Sequence, residues 1–172
     1  MPVYKLIFCC IIHPMEVKFT INGAGVLEKA FLTDETGAVV GHGVRGATVE
    51  DYDPSLITEA VIPDSVIAIG DGAFAGCDWL AGVTIPDSVT HIGDRAFYDC
   101  YSLKEISIPD GVTRIGNDVF ADCNQLERVT LPGSLTSIGD RAFAWCESLT
   151  GMVIPKSVES VGDRAFYGVP SG

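Results

Sequence analysis

The sequence predicts a repeat solenoid with a parallel β-ladder on one face, short strands and helical turns on the other, and a β-rich N-terminal cap. Three observations predict it. Offset against itself by 23 residues, the chain falls into register from Ile62 onward. Each copy opens on Ile-Pro or Leu-Pro, then carries a fixed Gly and an apolar pair ending in Phe. Finally, 47% hydrophobic residues in a chain of 172 suffice for a core that one 23-residue unit cannot build by itself.

The units are 62–84, 85–107, 108–130 and 131–153, with a partial unit at 154–172. The clearest reads IPDSVTHIGDRAFYDCYSLKEIS, residues 85 to 107. In LKEISIP, Ile106 and Ile108 lie two apart with Ser107 between them, so they share the inward face of a strand. Pro109 has no N–H to donate and ends the ladder. Val112 and Ile115 turn a second short extended piece inward. Gly116 supplies a permissive turn, and the Asp or Asn after it stands where a helical turn is N-capped. The pair ending in Phe fills the interior, and the Cys closes the turn. With ladder strands roughly 4.8 Å apart, Ile62, Ile85, Ile108, Leu131 and Ile154 form one interior column, and Phe74, Phe97, Phe120, Phe143 and Phe166 another.

The wording IPDSVTxIGDRAFxxC resembles the BspA-like, or Treponema-type, leucine-rich repeat, and the resemblance covers residues 62–172. Where the general leucine-rich consensus has its Asn ladder, this chain has Ser88, Gly111, Ser134 or Ser157, which implies a flatter solenoid. FTINGAGVL, Phe19 to Leu27, is similar to the hairpin that often precedes such arrays, with Asn22 to Gly25 as its turn. The resemblance further implies a non-enzymatic protein-binding module. Such proteins are often bacterial or protozoal surface proteins linked to adhesion and host-matrix binding, which implies a cell-surface or secreted location.

Ahead of the repeats, residues 15–61 read as the capping region and 1–14 as a tail or strand. LIFCCII, Leu6 to Ile12, is too short to span a bilayer, and HPMEV follows it where a signal peptide has small cleavage-site residues. Either Met1 or Met15 is the biological start. Residues 28–54, Gly-rich and acidic, read as an insertion with at least one further strand, AVVG. SLITEAVIP, Ser55 to Pro63, parallels SLKEISIP with one extra residue, which predicts a bulged first ladder strand.

Charge and motifs narrow the function classes. With 23 acidic against 11 basic residues the net charge is −12, and no Lys/Arg run exists, so neither nucleic-acid binding nor membrane insertion is expected. GHGVRG, Gly41 to Gly46, matches a phosphate-loop pattern, yet ATVEDYDP follows it in place of an opening helix, so it reads as a glycine-rich turn. Cys77, Cys100, Cys123 and Cys146 stand 23 apart, and Cys9 and Cys10 are adjacent. No C-x₂₋₄-C pair is present, and thiols stacked one per coil point the same way, so they read as buried apolar fillers without disulfide or metal. The dyads Asp94-Arg95, Asp140-Arg141 and Asp163-Arg164 become Asp71-Gly72 and Asn117-Asp118 in other copies. Only the cap is kept, and the arginines read as a solvated stripe on the back of the solenoid. His13, His42 and His91 belong to no catalytic pattern. Asp64, Asp87 and Asp110, with Asp99 and Asp122, offer broken acidic columns whose weaker alternative is calcium. No catalytic residue, cofactor or metal site is assigned.

The remaining candidate is the ladder's outward face, whose positions include Lys104, Glu105 and Ser107, then Glu127, Arg128 and Thr130. Small and charged residues there add nothing to a core and are free to meet a partner protein. Trp79, Tyr101 and Trp145 lie near the turns entering these strands. They either anchor that interface, being hot-spot residue types, or cover the rim of the core. The alternative function is an architectural spacer or self-assembly unit. In it, the edge strand at Leu149 to Ile154 pairs with a second copy, giving a homo-oligomer, unless the chain is cut from a longer array.

Overall fold

The structure, a computed structural model, describes four N-terminal strands and residues 59–170. Strands β1 (Lys5–Ile12), β2 (Met15–Ile21) and β3 (Val26–Thr33) form an antiparallel meander, and β4 (Val39–His42) pairs with β3. The expected hairpin is thus β2–β3, with Ile21 opposite Leu27; its turn residues lie outside the described residues. AVVG contributes Val39 to Gly41 to β4. Of the segment expected to carry a bulge, Ser55 to Pro63, residues 55–58 lie outside the described residues, and β5 (Glu59–Val61) has none, pairing in unbroken register with β7 (Gly82–Thr84).

Two parallel ladders run through the repeats. The first continues from β5 and β7 to β9 (Glu105–Ser107), β11 (Arg128–Thr130) and β13 (Gly151–Met152). Its strands are short because Pro63, Pro86, Pro109, Pro132 and Pro155 each follow within a few residues and donate nothing. The second is in two sheets: β6 (Ala68–Ile69) pairs with β8 (His91–Ile92), while β10 (Arg114–Ile115), β12 (Ser137–Ile138) and β14 (Ser160–Val161) form a separate three-stranded sheet along the same side. The cap is joined to this second ladder: Val26 and Leu27 of β3 pair parallel with Ala68 and Ile69 of β6.

The third side of each coil corrects the expected helical turn. No helix occurs among the described residues, and residues 93–100 form three overlapping β-turns. The N–H groups of Ala96, Tyr98 and Cys100 donate to the carbonyls of Gly93, Arg95 and Phe97 within the coil. The alternate N–H groups of Arg95, Phe97 and Asp99 donate to Asn117, Val119 and Ala121 of the next coil. A helix would satisfy these donors locally; the turns send half of them to a neighbour, so each coil needs the next one. Left-handed backbone makes the turns close. Arg95 and Asp99 have φ of 58°, and Gly72 and Gly76 hold the same places one coil earlier at 61° and 72°.

The interior is laid down in columns. Phe74, Phe97, Phe120, Phe143 and Phe166 stack at centroid spacings of 5.0, 5.5, 5.3 and 5.5 Å, nearly parallel. Ile62, Ile85 and Ile108 are buried as expected, and Leu131 is partly so. Ile154 departs from the expected interior column: it is 44% exposed, because its coil packs against a neighbour on one side only among the described residues.

Candidate interaction faces

The outward face of the first ladder is built by alternation. Ile106 and Val129 point into the core, so Glu105, Ser107, Arg128 and Thr130 point out. Glu105 faces Arg128 across the parallel register, and Arg128 Nη2 donates to Glu105 Oε2 at 2.8 Å. That pairing holds the Arg128 guanidinium above its ordinary pKa through the hydrogen bond and the charge of Glu105. Both side chains remain about two-thirds exposed, at 66% and 65%, so the pair is open to a partner and weak as a structural brace. Lys104 and Glu127 flank it, also exposed. Trp79 and Tyr101 are half-exposed at the corner before the ladder. Trp145 is placed elsewhere: it lies on the turn side, with its ring edge-on to Tyr167 at 4.9 Å, and lines a groove there.

The turn side holds the features that sequence reasoning missed. The Asp or Asn after each fixed Gly does not cap a helix. Its side chain accepts the backbone N–H of its counterpart one coil later: Asp71 from Asp94 at 2.9 Å, Asp94 from Asn117 at 2.8 Å, Asn117 from Asp140 at 2.9 Å and Asp140 from Asp163 at 2.8 Å. This ladder explains the fixed Gly, since a Cβ at Gly93, Gly116 or Gly162 would run into the side chain of Asp71, Asp94 or Asp140. Close approach, rather than turn flexibility, demands glycine. The visible signal was that only Asp and Asn share this column, which fits an acceptor serving a neighbour as well as it fits a cap.

The second missed feature adds a partner to the arginine stripe, whose members Arg95, Arg141 and Arg164 are exposed as expected. Asp118, the charged residue buried among those described, takes the place that other coils give to Arg or Gly. Arg141 grips it with two hydrogen bonds, Nε to Oδ1 at 2.7 Å and Nη2 to Oδ2 at 2.9 Å, and Arg95 approaches from the other side at 3.6 Å. The Arg141 hydrogen bonds, aided by both positive charges and opposed by burial, hold the Asp118 carboxyl below its ordinary value. The departure Asn117-Asp118 carried this information, because a carboxylate replacing one arginine in a column of arginines gains two cationic neighbours.

The cysteine column is buried and free of disulfides. Each thiol from Cys100 onward donates to a carbonyl of the preceding coil: Cys100 to Phe74 at 3.1 Å, Cys123 to Phe97 at 3.2 Å and Cys146 to Phe120 at 3.1 Å. Desolvation pushes Cys77 and Cys146 up to about 12, and Cys100 and Cys123 well above their ordinary value. These groups stay protonated and offer no thiolate nucleophile. Among the described residues no group of three or more His, Cys, Asp or Glu side chains is placed to hold a metal ion, and no helix is long and apolar enough to cross a membrane. His91 is exposed on β8, Gly41 and His42 end β4, and residues 43–46 of the glycine-rich stretch lie outside the described residues.

Comparison with known proteins bears on this architecture. The family model described as BspA type Leucine rich repeat region matches residues 52–171 in six copies, one more than the five units counted from Ile62. Among solved structures, the T. pallidum Leucine Rich Repeat protein is 34% identical with a TM-score of 0.60, over 63% of this chain and 52% of that one. A leucine-rich repeat protein from Bacteroides ovatus is 31% identical with a TM-score of 0.65, over 91% of this chain and 38% of that one. A leucine rich cell surface protein from Faecalibacterium prausnitzii is 27% identical with a TM-score of 0.52, over 94% of this chain and 52% of that one. The chain therefore spans about half, or less, of these relatives. No curated protein matches it. The repeat wording, the parallel coils and the family match over most of the sequence agree: the chain belongs to the BspA-type leucine-rich repeat family.

Proposed function

We propose that the protein is a non-enzymatic binding module of the surface-adhesion kind, and that the outward face of its first ladder contacts another protein. Leucine-rich repeat proteins are in general protein-interaction modules. The observation that carries the reading is the exposed patch Lys104, Glu105, Glu127 and Arg128, held in parallel register on a rigid ladder. These side chains add nothing to the core, and a rigid face loses little freedom on binding. Trp79 and Tyr101, half-exposed at the adjoining corner, supply aromatic anchors. A cell-surface setting is supported by the likeness to the Faecalibacterium cell surface protein. Replacing the four charged residues by Ala should lower binding to immobilised extracellular-matrix proteins by about tenfold or more while leaving thermal melting unaltered. Unchanged binding across the panel removes this face from the function.

A second reading, self-association, is favoured by one observation. The outermost strand of the ladder, β13, is followed by Val153, 83% exposed, and Ile154, 44% exposed. Sedimentation over a wide range of concentration tests it; a mass that stays monomeric throughout dismisses it.

A further inference from the structure

The turn side carries a groove of about 810 Å³ that breaks the repeat. In the column beside the Phe stack, Tyr98 is followed by Ala121 and Ala144, both buried at the floor of the groove, and then by Tyr167. Two small residues between two tyrosines leave a slot two coils long, about 10 Å at the ladder spacing. That length suits about three residues of extended chain.

Trp145 walls one end at a cost. Its φ is 62°, a left-handed conformation that other coils give at the same place to Gly76, Asp99, Asp122 and Gly168. The ring nevertheless stays 44% exposed, so the strain is not offset by full burial in the core. The next coil makes room for it, since a Cβ at Gly168 would press on the indole. Strain held for an exposed aromatic group points to recognition rather than to folding.

The lining is also charged. Within the groove the guanidiniums of Arg95, Arg141 and Arg164 outnumber the carboxylates of Asp118 and Asp122 by one, with Asp94 and Asp140 lining the adjoining groove beside Arg95 and Arg141. Asp118 fixes the Arg141 plane through two of its five N–H donors, leaving the others oriented and available. Arg164 rests over the Tyr167 ring, 6.0 Å from its centroid, and pairs with no carboxylate among the described residues. Held donors beside the half-exposed Trp145 suit a planar carboxylate next to an apolar side chain.

We propose that this groove is a second interaction surface, seating an extended acidic segment of a partner protein. A carboxylate lies on Arg164 and Arg141, and a neighbouring apolar side chain rests against Trp145 and Tyr167. Selection of a random peptide library displayed on phage against the whole chain tests this, followed by affinities of the enriched peptides for two variants. Trp145→Gly installs the residue other coils already use, so the turn should still close, with a cooperative melt as the check on folding; Arg164→Glu changes an exposed group. The expected result is enrichment of Asp- or Glu-bearing peptides whose affinity falls about tenfold or more in each variant and is untouched by alanine at the four ladder positions. No enrichment, enrichment without carboxylates, or binding to either variant as tight as to the parent overturns the proposal. So does binding of an acidic polysaccharide in the absence of any peptide binding.

Discussion

The two long faces of the solenoid repeat at the same 23-residue interval but differ in what they allow outside the core. On the first ladder, extended backbone admits any side chain at the outward positions, and neighbouring coils carry Thr84, Ser107, Thr130 and Val153 at one such place. On the turn side, outward positions such as 95, 99, 118, 122, 141, 145 and 164 lie at φ between 50° and 64°, where most side chains are disfavoured. Variation on the ladder is therefore cheap, whereas variation on the turns carries an energetic cost. The Arg, Asp and Trp residues that occupy these left-handed positions say more about selection than the charged patch on the ladder does.

The largest effect should come from the turn side's core. Phe120 is fully buried between Phe97 and Phe143, and Phe120→Ala should cost about 3–5 kcal/mol in denaturant unfolding. Ile106→Ala, under the ladder, is the counterpart, and a larger loss there than at Phe120 would break the view that the aromatic stack anchors the coils. Next in size is the Asp118 clasp. Because its carboxyl is held below the ordinary 3.8, the stabilisation is complete above that pH and is lost as pH falls through the lower, folded value. Asp118→Asn should melt several degrees lower than the parent at neutral pH, with the gap closing in acid; a gap independent of pH removes the electrostatic account. Smallest is a matched pair of outward substitutions. Asp122→Val, at φ 64°, should lose roughly 1–2 kcal/mol, and Ser107→Val on the ladder less than about 0.5 kcal/mol. Equal losses would erase the contrast between the faces.

Much of the fold was legible because columns repeat. Ile-Pro openings marked the ladder strands, inward Ile106 and Val112 followed from spacing, and the Phe and Cys columns followed from periodicity alone. What misled was the local reading of a letter whose partner is 23 residues away. Gly116 followed by Asn117 is the signature of a turn and cap within one chain segment, and nothing in that segment shows that the amide of Asn117 bonds to Asp94. Likewise Trp145 precedes a ladder strand in sequence but projects on another side. Position along the chain told which coil a residue belongs to, while backbone handedness decided which face it serves. The site was harder to read than the fold because its groove depends on departures from the repeat, which a consensus averages away.

The Asp and Asn ladder bears on how such chains change length. Since every coil presents its successor with the same acceptor and receives the same donor, duplication or deletion of a 23-residue unit leaves both new junctions already matched. Copy number can drift without redesign. The coil carrying Asp118 stands apart: excising residues 108–130 would remove its two ion pairs and set Arg95 beside Arg141, an arrangement that Arg141 and Arg164 already have in consecutive coils. Loss of that coil would cost the clasp, while the acceptor of Asp94 would meet the amide of Asp140 across the new junction.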